Sequence, residues 1–256
     1  MTNKDDPPVK ATATSARIVD AVIASDGATL TELAERTGLA KGTIHNHVDT
    51  LERLGFLVRD DWTYRPSLQF LSIGGVARRG YRIYRHGRGE MKSLATATEL
   101  ATNLTVLERD RGVCLASSLG ARIDESFLEA GDTVPLHCTA PGKAMLSALD
   151  TDGARATVEE VGQERMTDTT LTTWEKLAED LERVRNQGLA VDQCEWRDDM
   201  RGIAAPVTDR DGSLLGALSV MSSSESMSGK RFQQDIPGLV ISSANKIYKN
   251  TQTADG

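Results

Sequence analysis

Cysteine is scarce: Cys114, Cys138 and Cys194 are the three in 256 residues, too few and too scattered for a disulfide framework or a paired CxxC metal site. No apolar run approaches the ~20 residues that a membrane-spanning helix needs. The opening MTNKDDPPVK also lacks the charged-then-apolar plan of a signal peptide. A cytoplasmic protein without membrane contact is therefore expected. Enzyme signatures are missing as well. There is no Walker loop, no G-x-S-x-G, no H-E-x-x-H and no dinucleotide fingerprint. Three of the four histidines stand at positions 45, 47 and 86, which leaves only His137 for the back of the chain. A hydrolase built on Asp192 or Cys194 has no supporting arrangement, and neither catalytic residues nor a cofactor is expected. His45 and His47, two apart on a helix, cannot share a ligand face, and the adjacent His137 and Cys138 rarely chelate one ion, so no metal site is expected either.

What is present is an ordinary globular composition, 39% apolar and 26% charged, long enough for two domains. The net charge of −7 argues against nucleic acid until its distribution is read. Residues 1–90 carry 13 Lys/Arg against 11 Asp/Glu, and the remainder carries 17 against 26. A neutral-to-basic front joined to an acidic back suits one domain that meets phosphates and another that does not.

Residues 1–13 read as a loose tail. Ser15 can cap a first helix with Ile18, Val19, Val22 and Ile23 on one face. Thr29-x-x-Glu32 is a capping box for a second helix that ends at Gly38. A third runs from about residue 41 to 54, with Ile44, Val48, Leu51 and Leu54 in one apolar sector. Gly42, His45, Asn46 and Asp49 point the other way, and His47 sits at the edge of the sector as a core-flanking histidine. Strand-like residues 56–59 and 63–65 flank a turn at Asp60-Asp61-Trp62 and close at Pro66. Three short helices followed by a hairpin make a winged helix-turn-helix, assigned to residues 14–72.

Ser67 can cap a further helix with Leu68 and Leu71 inward, interrupted at Gly74-Gly75. Residues 73–89 read as a linker and dimerisation helix. On it Arg78, Arg82 and Arg85 form one basic stripe, and Val76, Gly80, Ile83 and Gly87 form a face open to a second helix. From residue 90 the pattern changes to a helix around Met91, Leu94, Ala95, Leu100 and Ala101, then short strands at 105–108 and 113–117. A loop at Thr139–Lys143 opens a helix to about residue 149, and another helix covers 173–187. Strands follow at 189–195, 202–207 and 214–221, with a closing helix at 232–249. Antiparallel strands flanked by helices suggest an α+β sensor domain of GAF or PAS type over residues 90–256.

Several stretches together resemble the IclR family of transcriptional regulators. They are residues 30–54 (LTELAERTGLAKGTIHNHVDTLERL), residues 137–146 (HCTAPGKAML), and residues 188–220 with their GIAAPV and GALSV cores. The resemblance implies a winged-helix DNA-binding domain, a linker helix, a GAF-like effector domain with an antiparallel sheet, homodimers or tetramers, and a small organic ligand. Double-stranded DNA with a palindromic operator is the expected partner. Lys41 and Thr43, at the start of the third helix, suit a phosphate. His45, Asn46 and Asp49 face the major groove, where an Asn can bond an adenine edge bidentately. Arg59 and Arg65 flank the wing. The family usually has Ser-Thr where this chain has Gly42-Thr43, and Arg where it has Asn46.

Ahead of the later helix, Ala140-Pro141-Gly142 presents a positive dipole end to a carboxylate, with the amides of Ala140, Gly142 and Lys143 as donors. Lys143 either adds charge or points outward, the commoner fate. The resemblance implies that Ala140, Pro141, Asp192, Gly202, Ser219 and Met221 line the ligand's polar end. Cys is common in the family where this chain has Gly202, and Ser where it has Met221, which makes one side roomier and more apolar. Phe127, Leu128 and Val134 are candidate walls. The expected function is a DNA-binding regulator whose operator affinity follows a carboxylate-type effector. The alternatives are a ligand-independent regulator whose rear domain only oligomerises, and a small-molecule enzyme.

Overall fold

The computed structural model describes residues 7–123, 127–227 and 229–253. Two compact units emerge, Met1–Ala77 and Arg78–Gly256.

The front unit is a three-helix core with a hairpin. Helix α1 is Lys10–Ile23, α2 Leu30–Thr37 and α3 Lys41–Arg53; strands β1 (Leu57–Asp60) and β2 (Thr63–Pro66) pair antiparallel. Helix α1 starts earlier than the sequence suggests, because the alanine-rich run 11–16 is a good helix former and Thr14 bonds back to the Lys10 carbonyl at 2.9 Å. Residues 10–13 are thus helix rather than tail. Ser15 does not cap; it lies inside α1, with its hydroxyl 2.9 Å from His47 Nδ1. That contact satisfies His47 at the core's edge. The Thr29 capping box forms in full, and Gly38 ends α2 in the left-handed conformation at φ 69.

Ile18, Val22, Leu33, Ile44, Val48 and Leu57 are fully enclosed. Leu54 is not: it caps α3 in helical conformation, at the edge of the apolar sector, and is 59% exposed. The hairpin turn narrows to Asp61-Trp62, since Asp60 still pairs with Thr63 and Asp61 takes the positive φ.

Helix α4, Gln69–Gly80, runs straight through Gly74-Gly75. Leu68 and Leu71 face solvent at 83% and 68% exposure. The inward residue is Phe70, whose ring centroid lies 5.6 Å from that of Phe56. The chain breaks instead at Tyr81, which is extended, and α5 then runs Arg82–Thr98. The break divides the expected arginine stripe and the expected helix-contact face between two helices. Val76 is 61% exposed, whereas Ile83 and Gly87 are core of the rear unit. A Cβ on Gly87 would lie 3.2 Å from Ile247, so the helix that comes close at this glycine is the chain's own closing helix.

The rear unit is an antiparallel sheet of six strands in the order β5-β4-β3-β8-β7-β6. These are β3 Ala101–Glu108, β4 Arg111–Ser118, β5 Thr133–Val134, β6 Ala190–Gln193, β7 Met200–Thr208 and β8 Leu214–Ser223. Leu100 and Ala101, expected on a helix, lie just before and at the start of β3. One face packs on α5 and the closing helix α9 (Ile236–Thr253) through Leu104, Ile203, Leu218 and Val220. The other packs on α6 (Ala140–Ser147) and α8 (Trp174–Gln187) through Ala190, Ala204 and Ala217. The period-two alternation along β8 assigns Ala217, Ser219 and Met221 to the α6 side. Helix α7, Thr151–Val161, was passed over, although Asp150 caps it at 2.6 Å and Ala154 and Val158 form its buried stripe. No helix among the described residues is long and apolar enough to cross a membrane.

Candidate functional site

The front unit presents a two-sided helix. Along α3, Ile44 and Val48 are sealed at 0% exposure, while Lys41, Thr43, His45 and Asn46 stand in solvent. Ala40 precedes the helix without a side-chain cap, so the first-turn amides stay available to a phosphate. Asp49 is half-buried and paired with Arg53 at 2.9 Å, which ties its carboxylate to its own helix. Lys41 Nζ reaches Thr31 Oγ1 at 3.4 Å. Arg59 and Arg65 are exposed on the wing strands; Arg59 bonds the Tyr64 hydroxyl, which raises the pKa of the guanidinium, and Arg65 lies along Gly27. Sequence reading overlooked Trp62, which sits at the wing tip with 81% of its surface exposed. A large aromatic in a two-residue turn is the signal that was available.

The rear unit gathers polar groups on the α6 side of its sheet. In register, Asn103 of β3 pairs with Ser219 of β8, and Ser219 with Ala204 of β7. One row along, Met221 pairs with Gly202, and Gly202 with Asp192 of β6. A Cβ on Gly202 would lie 3.3 Å from Ala140 Cβ and 3.5 Å from Met221 Cγ. The sheet therefore brings Ala140, Gly202 and Met221 into contact, with Asp192 beside them. Phe127, Leu128, Val134 and Met200 pack with Met221 as an apolar wall.

The first turn of α6 differs from expectation. The Gly142 amide is taken by Thr139 Oγ1 at 3.1 Å and the Lys143 amide by the Thr139 carbonyl at 2.9 Å. Two of the three expected donors are thus consumed by the cap. Gly142 is needed for packing, since a Cβ there would lie 2.4 Å from the Leu136 carbonyl oxygen. Nor does Lys143 point outward. It is 1% exposed, and its ammonium sits between Glu195 at 2.5 Å and Asp180 at 2.9 Å. The long stem packs under the sheet while the head finds two carboxylates, an outcome that spacing along α6 does not reveal.

Asp192 is fully enclosed. Its Oδ1 accepts the Glu195 amide at 2.7 Å, and its Oδ2 has no hydrogen-bond partner among the described residues. Burial, with repulsion from Glu195, pushes its carboxyl up to about 7, against the pull of the Glu195 amide and of Lys143. Glu195 is raised chiefly by burial. Burial likewise drives the Cys114 and Cys138 thiols up to about 12, so neither is a ready thiolate. Among the described residues no group of three or more His, Cys, Asp or Glu is placed to hold a metal ion.

Cavities of about 360, 460 and 410 Å³ open elsewhere on this unit, and none is lined by Asn103, Asp192, Gly202, Ser219 or Met221. The third backs onto Asp180 and Glu195. The second carries Arg78 and Arg88, 5.0 and 5.3 Å from the Tyr84 ring centroid, while Arg82 pairs with Asp209 at 3.6 Å.

Comparison with known families is decisive. The IclR helix-turn-helix domain matches residues 15–61, and the C-terminal domain of the bacterial transcriptional regulator IclR matches residues 79–249. The chain belongs to the IclR family. It is a DNA-binding transcriptional regulator with an IclR effector-type domain behind its helix-turn-helix. This IclR chain is 32% identical to the probable HTH-type transcriptional regulator ArcR of Halobacterium salinarum, over 93% of the chain and 92% of that relative. It is 25% identical to the p-hydroxybenzoate hydroxylase transcriptional activator of Acinetobacter baylyi, over 85% and 82%. Its fold matches that of an IclR homolog from Microbacterium hydrocarbonoxydans solved with 4-hydroxybenzoate, at TM-score 0.80 and 19% identity, over 95% and 99% of the two chains. These IclR relatives are named as transcriptional regulators rather than enzymes.

Proposed function

We propose that this regulator grips a palindromic operator as a dimer, through α3 and the wing, and that a small organic acid on the α6 side of the rear sheet alters that grip. The observation that carries the reading is the division of α3, dry and packed on one side, wet and uncapped on the other. Lys41 and Thr43 meet phosphate; Asn46 and His45 meet base edges; Arg59, Arg65 and Trp62 bring the wing to the backbone. Asp49 serves α3 through Arg53 more than it serves DNA. Ala140, Pro141, Asp192, Gly202, Ser219 and Met221 form the effector site, with Gly142 shaping the turn behind it. An acid effector agrees with the 4-hydroxybenzoate complex of the structural neighbour.

Effector and operator would be linked by a reciprocal coupling of about 1–3 kcal/mol. Fluorescence anisotropy with labelled operator, in 50–200 mM salt and with and without organic acids, tests this directly. Steep salt dependence and a five- to hundredfold change in operator affinity are expected with the cognate acid. Salt-insensitive binding counts against the DNA reading. An unchanged operator affinity at saturating acid counts against the coupling. The enclosure of Asp192 and Ser219 favours the second reading, a rear unit that only oligomerises, and the same titration separates the two.

A further inference from the structure

Asn103 is 1% exposed, and neither its Nδ2 nor its Oδ1 has a hydrogen-bond partner among the described residues. A buried amide with both ends unmet is among the costliest arrangements a core can hold, and cores seldom keep one without a use. Its neighbours sharpen the point. Ser219, directly across on β8, is 0% exposed with its hydroxyl equally unmet, and Asp192 Oδ2 is in the same condition. Register and alternation put all three on the α6 face of the sheet, with Met221 and Gly202 between them. Two donors on Nδ2, an acceptor on Oδ1, a hydroxyl that does either and a carboxyl oxygen together match one small head group with both donor and acceptor sites.

The charge around that face decides what the head can be. From β6 comes Asp192 and, two residues past its end, Glu195; from α6 comes Lys143, and from α8 Asp180 with Arg183, while Cys138 precedes α6 as a neutral thiol. Gly202 of β7 and Met221 of β8 bring no charge. Among the described residues the cations of this cluster are already held, Lys143 by Glu195 and Asp180 and Arg183 by Asp180 at 2.9 Å. A bare carboxylate seated there would face Asp192 with no free positive charge among the described residues to offset it.

We propose that Asn103 is a specificity-determining residue of the effector site, reading the effector's head together with Ser219 and Asp192, and that this head is bound without net negative charge. This rests on the effector reading above. An organic acid meets the requirement by sharing one proton with Asp192, a proton that the Asp192 carboxyl already holds below about pH 7 and that must come from solvent above it, whereas an amide or hydroxyl head meets it unaided.

The first arm of the test needs no ligand. Asn103→Leu, which keeps the same branched side-chain skeleton, should raise the melting temperature of the full-length protein by several degrees, because it replaces an unmet amide with an apolar group. A fall would show Asn103 to be structural and overturn the assignment. The second arm uses isothermal titration with two probe pairs, 4-hydroxybenzoate with 4-hydroxybenzamide and pyruvate with pyruvamide. Any probe that binds wild type should bind Asn103→Leu at least tenfold more weakly. Affinity for the acid should fall about tenfold per pH unit above pH 7, while that for the amide stays level. Undiminished binding to Asn103→Leu, or acid affinity constant from pH 6 to 8.5, overturns the proposal; if no probe binds, the melting comparison decides. A stabilised Asn103→Leu whose wild-type operator affinity ignores every acid would sink the coupling alone and leave the assignment of Asn103 standing.

Discussion

Helix α3 and the α6 face of the sheet are both sets of unmet hydrogen-bonding groups, kept in opposite surroundings. On α3 they stand in solvent, where water satisfies them, so Asn46 and His45 cost the fold nothing. On the sheet no described residue meets the Asn103 amide, the Ser219 hydroxyl or Asp192 Oδ2, so these groups weigh against the folded state. A surface that waits for a polyanion can stay wet, because phosphate displaces mobile water and counterions. A site that must tell one small molecule from another gains selectivity from dryness, since a wrong ligand leaves buried groups unpaired.

The same change made in both regions should separate them most sharply. Lys143→Met leaves the buried Glu195 without its cation and Asp180 with Arg183 alone, and a urea titration should show a loss of about 3–5 kcal/mol. Lys41→Met should stay within about 0.5 kcal/mol of wild type while weakening operator binding. Equal losses from the two would erase the contrast.

The pH dependence of stability comes next in size. The Asp192 carboxyl is raised from 3.8 to about 7 in the fold, so the folded protein keeps a proton that the unfolded chain has released. The stability this group contributes is complete below pH 4, declines as pH rises, and is gone above pH 7. Relative to Asp192→Asn, wild type should lose up to about 4 kcal/mol across that window. Glu195 is raised in the same direction, and because its charge repels that of Asp192 the difference reports the pair rather than Asp192 alone. Parallel pH curves would mean that Asp192 is solvated after all. The smallest effect belongs to the wet side: Asn46→Ala should cost about 1–3 kcal/mol on cognate operator and much less on random DNA. Equal losses on both would make Asn46 a backbone contact rather than a base reader.

The two regions were unequally legible. The capping box at Thr29, the turn at Gly38 and the apolar spacing of Ile44 and Val48 are short-range signals, and they delivered the front unit almost complete. Boundaries were less secure wherever a local cue was outvoted. Gly74-Gly75 reads as a break, yet α4 passes through it, and the chain turns at Tyr81, where no strong breaker stands. β7 and β8 are legible because they are long and β-prone, whereas the two-residue β5 leaves no such signal. Asn103 lies just ahead of residues 105–108, the stretch whose sequence reads as strand, and only the full strand Ala101–Glu108 puts it in register with Ser219.

Read by itself, the sequence determined the helix-turn-helix, its wing and which side of α3 is wet, because caps and helical period act over a few residues and need no distant partner. The burial of Lys143, the use of the Thr139–Lys143 turn for capping and the meeting of Asn103, Ser219 and Asp192 were decided by tertiary structure alone. Those groups are separated by up to 116 positions along the chain, and only the pairing of β3, β8, β7 and β6 brings them onto one face, out of reach of water.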